Sequence, residues 1–138
     1  MTRFHVAMVG IAASMLATAV AAAPDPEAWY RDGYAPLWAD KPATQIDKML
    51  GYYAETVETH TAEGEISRDN KVAWLKAELT GLKTDRVNDS TAVFKASWLD
   101  SYEGGATEVS CGWYLADYMD GRWQFTVYAD IDCAEHGL

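Results

Sequence analysis

Apolar residues recur every three or four positions through the first half of the chain and every second position through the rest. This change of period predicts helices followed by strands. The segment "PDPEAWYRDGYAPLWADKPATQ" holds all four prolines, Pro24, Pro26, Pro36 and Pro42, and predicts a short helix around Glu27 to Tyr34 followed by a turn. Pro42 suits the first turn of a second helix with Asp40 as its cap, and that helix would carry Ile46, Leu50, Tyr53 and Val57 on one stripe. "TVETHT", Thr56 to Thr61, alternates as a strand does, and "AEGE" turns the chain. In "SRDNKVAWLKAEL" the pattern predicts a further helix. Ser67 or Asp69 caps it, Val72, Leu75 and Leu79 share a face flanked by Trp74, and Gly81 stops it. "KTDRVND", "TAVFKASWLD", "ATEVSCGWYLADY" and "RWQFTVYADIDC" then read as strands, the last three separated by the turns "SYEGG" and "MDG". Helices followed by a strand meander imply an α+β fold, with helices on one face of an antiparallel sheet.

The turns set a register. A loop from Ser101 to Gly105 places Asp100 opposite Ala106 and Phe94 opposite Gly112. A two-residue turn at Asp120-Gly121 places Met119 opposite Arg122, Tyr114 opposite Val127 and Gly112 opposite Ala129. One face then collects Phe94, Ala96, Trp98, Gly112, Tyr114, Ala116, Tyr118, Trp123, Phe125, Val127, Ala129 and Ile131, nearly all apolar. The other takes Lys95, Ser97, Trp113, Asp117, Gln124, Thr126, Tyr128, Asp130 and Asp132. Burial favours this register, because a slip of one residue mixes the two sets. It also sends Cys133 to the apolar face and Cys111 to the mixed one, so a Cys111–Cys133 disulfide would require a bulge near Asp130 to Asp132. Two cysteines in an exported chain are usually paired. Geometry and compartment disagree at this point, and the pairing stays open.

Export is expected from residues 1–23. Arg3 precedes an apolar run from Val6 to Val20, too short to span a bilayer comfortably, and the Ala19 to Ala23 string offers cleavage choices, so the domain proper would be 24–138. Without Arg3, ten Lys and Arg face 21 Asp and Glu, a net charge of −11. Such a surface repels phosphate and anionic lipid, which argues against nucleic-acid partners and against membrane association after signal cleavage. Six tryptophans and eight tyrosines suggest a bulky core, an aromatic-lined pocket, or both. Asp130 and Asp132 share a face but lack a third oxygen ligand, and Cys111, Cys133, His60 and His136 lack zinc spacing. No phosphate loop or nucleophile elbow occurs, so neither a cofactor nor a metal is expected. Asn88-Asp89-Ser90 fits a glycosylation sequon, relevant only in a eukaryotic secretory route.

"MLGYYAETVETHTAEGEISRDNKVAWLKAEL" followed by "CGWYLADYMDGRWQFTVYADIDC" resembles the SnoaL-like branch of the nuclear transport factor 2-like superfamily. The resemblance spans roughly residues 27 to 133 and rests mainly on Tyr53-Ala54-Glu55 and the "DGRW" hairpin. It implies a cone-shaped, strongly curved antiparallel sheet wrapped around N-terminal helices, with an apolar pocket inside. The superfamily includes isomerases, dehydratases, cyclases and hydrolases beside many non-catalytic members. Ketosteroid isomerase chemistry does not carry over: its general-base position falls at Thr61 and its second aspartate among Trp113 to Leu115, where no carboxylate stands.

His60, next to the vacant base position, could act as a pocket acid or base, assisted by Asp100 or Tyr114; the alternative is a hydrogen-bonded histidine at a strand end. Asp100, on the apolar face, would have a raised pKa if buried, and Tyr114 could offer its hydroxyl to a ligand carbonyl. Tyr53, Trp74, Trp98, Tyr114 and Phe125 are the expected pocket lining. The leading expectation is an exported domain, secreted or periplasmic, that binds a small apolar molecule without turnover. The alternatives are a lyase or isomerase using His60, and an interaction module that forms a homodimer through Trp113, Thr126 and Tyr128 on the outer sheet face.

Overall fold

The computed structural model of the protein describes residues 23–60 and 74–138, and the signal-like segment, Thr61 and the start of the expected third helix lie outside them. Its elements run as a helical N-terminal segment followed by a five-stranded sheet. The helical segment begins as an α-helix, Pro26–Ala28 (α1), with Asp25 accepting from the Glu27 N–H. It widens into a π-helix, Trp29–Tyr34, and returns to α in Ala35–Ala39 (α2). The single helix and turn expected at Glu27 to Tyr34 thus become one continuous run reaching Ala39. Pro36 lacks the N–H that a regular turn requires, and the wider π turn lies immediately before it.

Two further expectations are corrected here. The stripe from Ile46 to Val57 is not one helix: a 3-10 turn at Pro42–Thr44 leads into a short α-helix, Ile46–Leu50 (α3), and Tyr53 already belongs to a strand. Asp40 does not cap with its side chain; its carbonyl accepts from the Gln45 side chain, and Lys41 takes the N-cap position with φ 45°. The second correction concerns "WLKAEL". These residues favour helix locally, but they open a strand, Trp74–Asn88 (β2), that pairs antiparallel with Thr91–Tyr102 (β3) along most of its length. Tertiary pairing overrides a weak local preference there.

The sheet order is β1-β5-β4-β3-β2, with β1 Tyr53–His60, β4 Thr107–Met119 and β5 Arg122–Asp130. β1 pairs parallel with β5, so the sheet is mixed rather than purely antiparallel. Register breaks interrupt β2 against β3 at three places, β1 against β5, and β4 against β5. Each break adds local bend and twist, which a curved sheet needs. The bends of β2 also spoil a long edge as a template for pairing with another chain.

The five-residue β3–β4 loop sits one residue later than expected, with Ser101 opposite Thr107, so Phe94 faces Tyr114 rather than Gly112. A shift of two keeps every residue on its face. Its loop closes through Tyr102 N–H to the Ala106 carbonyl, and both Gly104 and Gly105 have positive φ. The β4–β5 turn at Asp120-Gly121 holds the expected two-residue register from Met119–Arg122 to Ala116–Phe125. Beyond it Thr126 and Val127 stand together opposite Leu115, and Tyr128 rather than Val127 faces Tyr114. This bulge overturns the assignment of Val127, Ala129 and Ile131 to the inner face and of Tyr128 to the outer one. It lies near Thr126, upstream of the place anticipated, and it leaves the Ile131 N–H donating to the Cys111 carbonyl. Cys111 and Cys133 are joined by a disulfide across Cα atoms 5.3 Å apart.

Candidate functional site

The inner face of the sheet and the π-helix share one aromatic core. Tyr30 and Tyr34 are four apart in the chain and both fully buried, the π turn directing them at β3, β4 and β5. Phe94, Trp98, Tyr114, Trp123 and Phe125 meet them from the strands, and Tyr53 from β1. Phe125 is 0% exposed, with ring centroids 4.7 Å from Trp29, 4.9 Å from Tyr34, 5.0 Å from Tyr114 and 5.1 Å from Tyr53. Of the residues expected to line a pocket, Tyr53, Trp98, Tyr114 and Phe125 therefore come together, packed on one another. Trp74 opens β2, and its side chain lies outside the described residues. A separate groove of about 230 Å³ lies beside the β2 break, lined by Arg31, Leu79, Thr80, Gly81 and Leu82.

Five phenols converge in this core: Tyr30, Tyr34, Tyr53, Tyr114 and Tyr128. The hydroxyls of Tyr34 and Tyr53 are 2.6 Å apart and hydrogen-bonded. Tyr128 packs on Tyr114 at 4.9 Å and donates to Asp130 Oδ1 at 2.5 Å. Burial raises the pKa of every one of the five, because it penalises phenolate; Tyr34 is pushed up to about 12. At neutral pH all five are neutral hydroxyls. Tyr114 lies flat across Gly112. A Cβ at residue 112 would stand 2.8 Å from Tyr114 Cε2 and 3.0 Å from its hydroxyl. Gly112→Ala should therefore displace a closely packed ring and cost about 1–3 kcal/mol, read as a lowered urea midpoint with changed near-ultraviolet dichroism.

Two polar atoms of this core have no hydrogen-bond partner among the described residues: Tyr30 Oη and Trp98 Nε1. Burial dominates the raised pKa of Tyr30 and the neighbouring Tyr34 adds to it, while hydrogen-bonding approaches of Tyr114 and Trp98 to its hydroxyl, outside good geometry, lower it. An indole N–H can only donate, while a phenol can donate or accept. Buried atoms left in this way are uncommon in folded proteins.

Asp100 ends the buried row of β3 and is 4% exposed. Burial raises its carboxyl above the usual range, a hydrogen bond with Ser110 opposes this, and the charge of Glu108 adds to it. A carboxyl whose folded pKa is raised stabilises the fold fully below its ordinary value and loses that contribution as pH rises through the raised one. Asp100→Asn should therefore raise the urea midpoint at neutral pH, and the advantage should vanish in acid below about pH 4. An unchanged midpoint at neutral pH would show the carboxylate to be solvated.

His60 closes β1 with its backbone paired to Ala129, while Thr59 takes the position beside Tyr128; the His60 side chain lies outside the described residues. On the outer face, Trp113 is half-buried, but Tyr128 has turned inward, so the expected Trp113, Thr126 and Tyr128 patch does not form as a unit. Gln124, expected to be exposed, is 6% exposed and donates to the Met119 carbonyl. Asp130 is engaged by Tyr128, and Asp132 accepts from the Ala134 and Glu135 N–H groups. Among the described residues no group of three or more His, Cys, Asp or Glu is placed to hold a metal ion. Nor is any helix there long and apolar enough to cross a membrane. The sequence reading missed Tyr30, Tyr34 and the inward Tyr128. The four-residue spacing of Tyr30, Tyr34 and Trp38 was the available signal for the first two, hidden among prolines.

No protein-family model matches the chain, and no curated protein matches its sequence. Solved structures do match its shape. An NTF-2-like protein of unknown function from Shewanella oneidensis superposes with a TM-score of 0.55 at 13% identity, covering 73% of this chain and 92% of its own. A scytalone dehydratase-like protein from Novosphingobium aromaticivorans gives 0.54 at 14% identity, covering 70% and 74%. A domain with a cystatin-like fold from Nostoc punctiforme gives 0.54 at 15% identity, covering 78% and 77%. The chain thus has the α+β cone of the nuclear transport factor 2-like fold, as the sequence resemblance implied.

Proposed function

We propose that the protein is an exported binding domain that holds a small, largely apolar molecule carrying one oxygen acceptor, without turning it over. The observation that carries this reading is the aromatic cluster in which Tyr30 Oη and Trp98 Nε1 lie buried near each other, neither making a hydrogen bond of good geometry. Neutral phenols and an indole offer hydrogen bonds and apolar surface but no charge, which suits a carbonyl or ether oxygen on a ring-shaped ligand. The disulfide supports export, since such bonds persist in oxidising compartments.

A second reading has one specific observation in its favour. Asp100 is a buried carboxyl with a raised pKa at the end of the same face, the property a general acid or base requires. In that reading Tyr114 would polarise the substrate and His60 would share the proton. The scytalone dehydratase-like neighbour fits either reading, because fold alone does not assign chemistry.

Native mass spectrometry of protein recovered from its exported form, together with titration by the fluorescent probe anilinonaphthalene sulfonate, tests the binding reading. We expect a co-purifying small neutral molecule that the probe displaces. Tyr30→Phe should weaken retention of that mass about 5- to 10-fold, the value of one neutral hydrogen bond. A folded protein that carries no such mass and binds no probe sinks the reading; loss of activity on a found substrate in Asp100→Asn would favour the second.

A further inference from the structure

The β4–β5 hairpin carries instructions for two registers. Continuing the Asp120-Gly121 turn without interruption would pair Tyr114 with Val127 and put Val127, Ala129 and Ile131 on the inner face. The structure departs from that ladder after Ala116–Phe125, where Thr126 and Val127 share Leu115. From that point β5 is advanced by one residue, and each side chain changes face. Tyr128 comes in against Tyr114, Gly112 faces Asp130, and Ile131 bonds to Cys111.

Only the advanced register lets the two cysteines meet. In the uninterrupted one Cys111 lies opposite Asp130 and Cys133 points to the other face, so no bond can close. In the advanced one Cys133 follows two residues after the partner of Cys111, and the sulfurs are bonded. We infer that the Cys111–Cys133 disulfide is a register lock: oxidised, it holds β5 advanced with Tyr128 inside, and reduced, it frees β5 to slip back by one residue and turn Tyr128 out.

The rest of the sheet is built to tolerate the slip. β1 pairs with β5 at Tyr53–Phe125 and again from Glu58–Val127, and the ladder is broken between them. A slip beyond Phe125 leaves the first contact alone and re-pairs only residues 58–60 of β1. The core hub Phe125 stays in place, as do the β4–β5 pairs nearer the turn. The apolar pattern that favours the uninterrupted register, Val127, Ala129 and Ile131 against Tyr128 and Asp130, supplies the drive to slip. Thr126 opposes it weakly through a hydroxyl bond to Asp117 Oδ2 at 2.9 Å. The switching step is thiol–disulfide exchange. A dithiol reductant gives two electrons and two protons, the Sγ–Sγ bond becomes two thiols, and the dithiol becomes a disulfide; an oxidising carrier reverses it. The lock stands apart from any ligand. Its consequence for a bound molecule, the gain or loss of one phenol, rests on the binding reading above.

Cross-strand proton contacts by NMR test the inference on the whole chain. The oxidised protein should show backbone contact between Tyr114 and Tyr128. A Cys111→Ser, Cys133→Ser chain should remain folded, lose that contact, and gain one between Tyr114 and Val127, with the Tyr128 ring becoming open to a soluble quencher. Deleting Thr126 removes the bulge while keeping the advanced pairing, so the deletion variant should hold Tyr114 against Tyr128 with or without reductant. The lock is overturned if the double-serine chain keeps the Tyr114–Tyr128 contact or fails to fold, or if the Thr126 deletion loses that contact on reduction.

Discussion

Raised from neutral pH into alkali, the protein should stay folded to about pH 10 and then unfold steeply within one or two further units. The cause is the cluster of neutral phenols. An unfolded tyrosine gives up its proton near pH 10, whereas burial holds Tyr34 to about 12 and raises Tyr30, Tyr53, Tyr114 and Tyr128 as well. Above pH 10 the unfolded chain has lost protons that the fold retains, so each such group costs about 1.4 kcal/mol of stability per pH unit. The sign follows from the raised values: the contribution is complete below the unfolded pKa and is lost as pH climbs through the folded ones. Acting together, the five would remove on the order of 7 kcal/mol per unit, comparable with the whole stability of a domain this size. The measurement is tyrosinate absorbance alongside far-ultraviolet dichroism. The two signals should change together, in a cooperative step. Gradual ionisation from pH 10 with the dichroism intact would mean that solvent reaches these hydroxyls. Tyr34→Phe removes one titrating group and should make the transition shallower, although Tyr53 then loses its bonded partner.

This cluster also shows what was legible in the sequence. Period-two alternation in β3 and β4 placed Phe94, Ala96, Trp98, Tyr114 and Ala116 inside, and all are buried. Alternation is a property of the strand itself, so it survives an error of two residues in the β3–β4 loop. The bulge at Thr126 was not legible. It exchanges inner and outer residues by a single insertion that the local pattern argues against, and it is closed by a covalent bond between residues 22 apart. "WLKAEL" misled for a related reason: its helical spacing is genuine, yet β3 offers most of it antiparallel partners. Tyr30 and Tyr34 were hidden because a π turn, which sequence period does not announce, rotates both into the core. Where the chain's own period decides the outcome, the pattern predicts it; where a distant partner decides it, the pattern does not.

Replacing Phe125 by alanine should be the most damaging single change in the protein. Its ring touches those of Trp29, Tyr30, Tyr34, Tyr53, Phe94 and Tyr114, which come from the π-helix and from four different strands with its own. It is also the last residue before the bulge, and its N–H donates to the Tyr52 carbonyl, tying β5 to the start of β1. A truncated Phe in a core loses its transfer free energy and leaves a void that rigid neighbours cannot refill, about 3–5 kcal/mol in all. Aromatic rings fixed by six mutual contacts have few low-energy ways to collapse, so the upper part of that range is expected. Phe125→Leu keeps most of the volume and should cost about 1.5 kcal/mol, which separates the loss of packing from any backbone effect at the bulge. Urea unfolding of both variants is the check, with the slope of the transition followed as well as its midpoint. A cost below about 1 kcal/mol for the alanine variant would mean that these rings are loosely held, which would also undercut the binding reading, because that reading requires Tyr30 and Trp98 to be fixed in place.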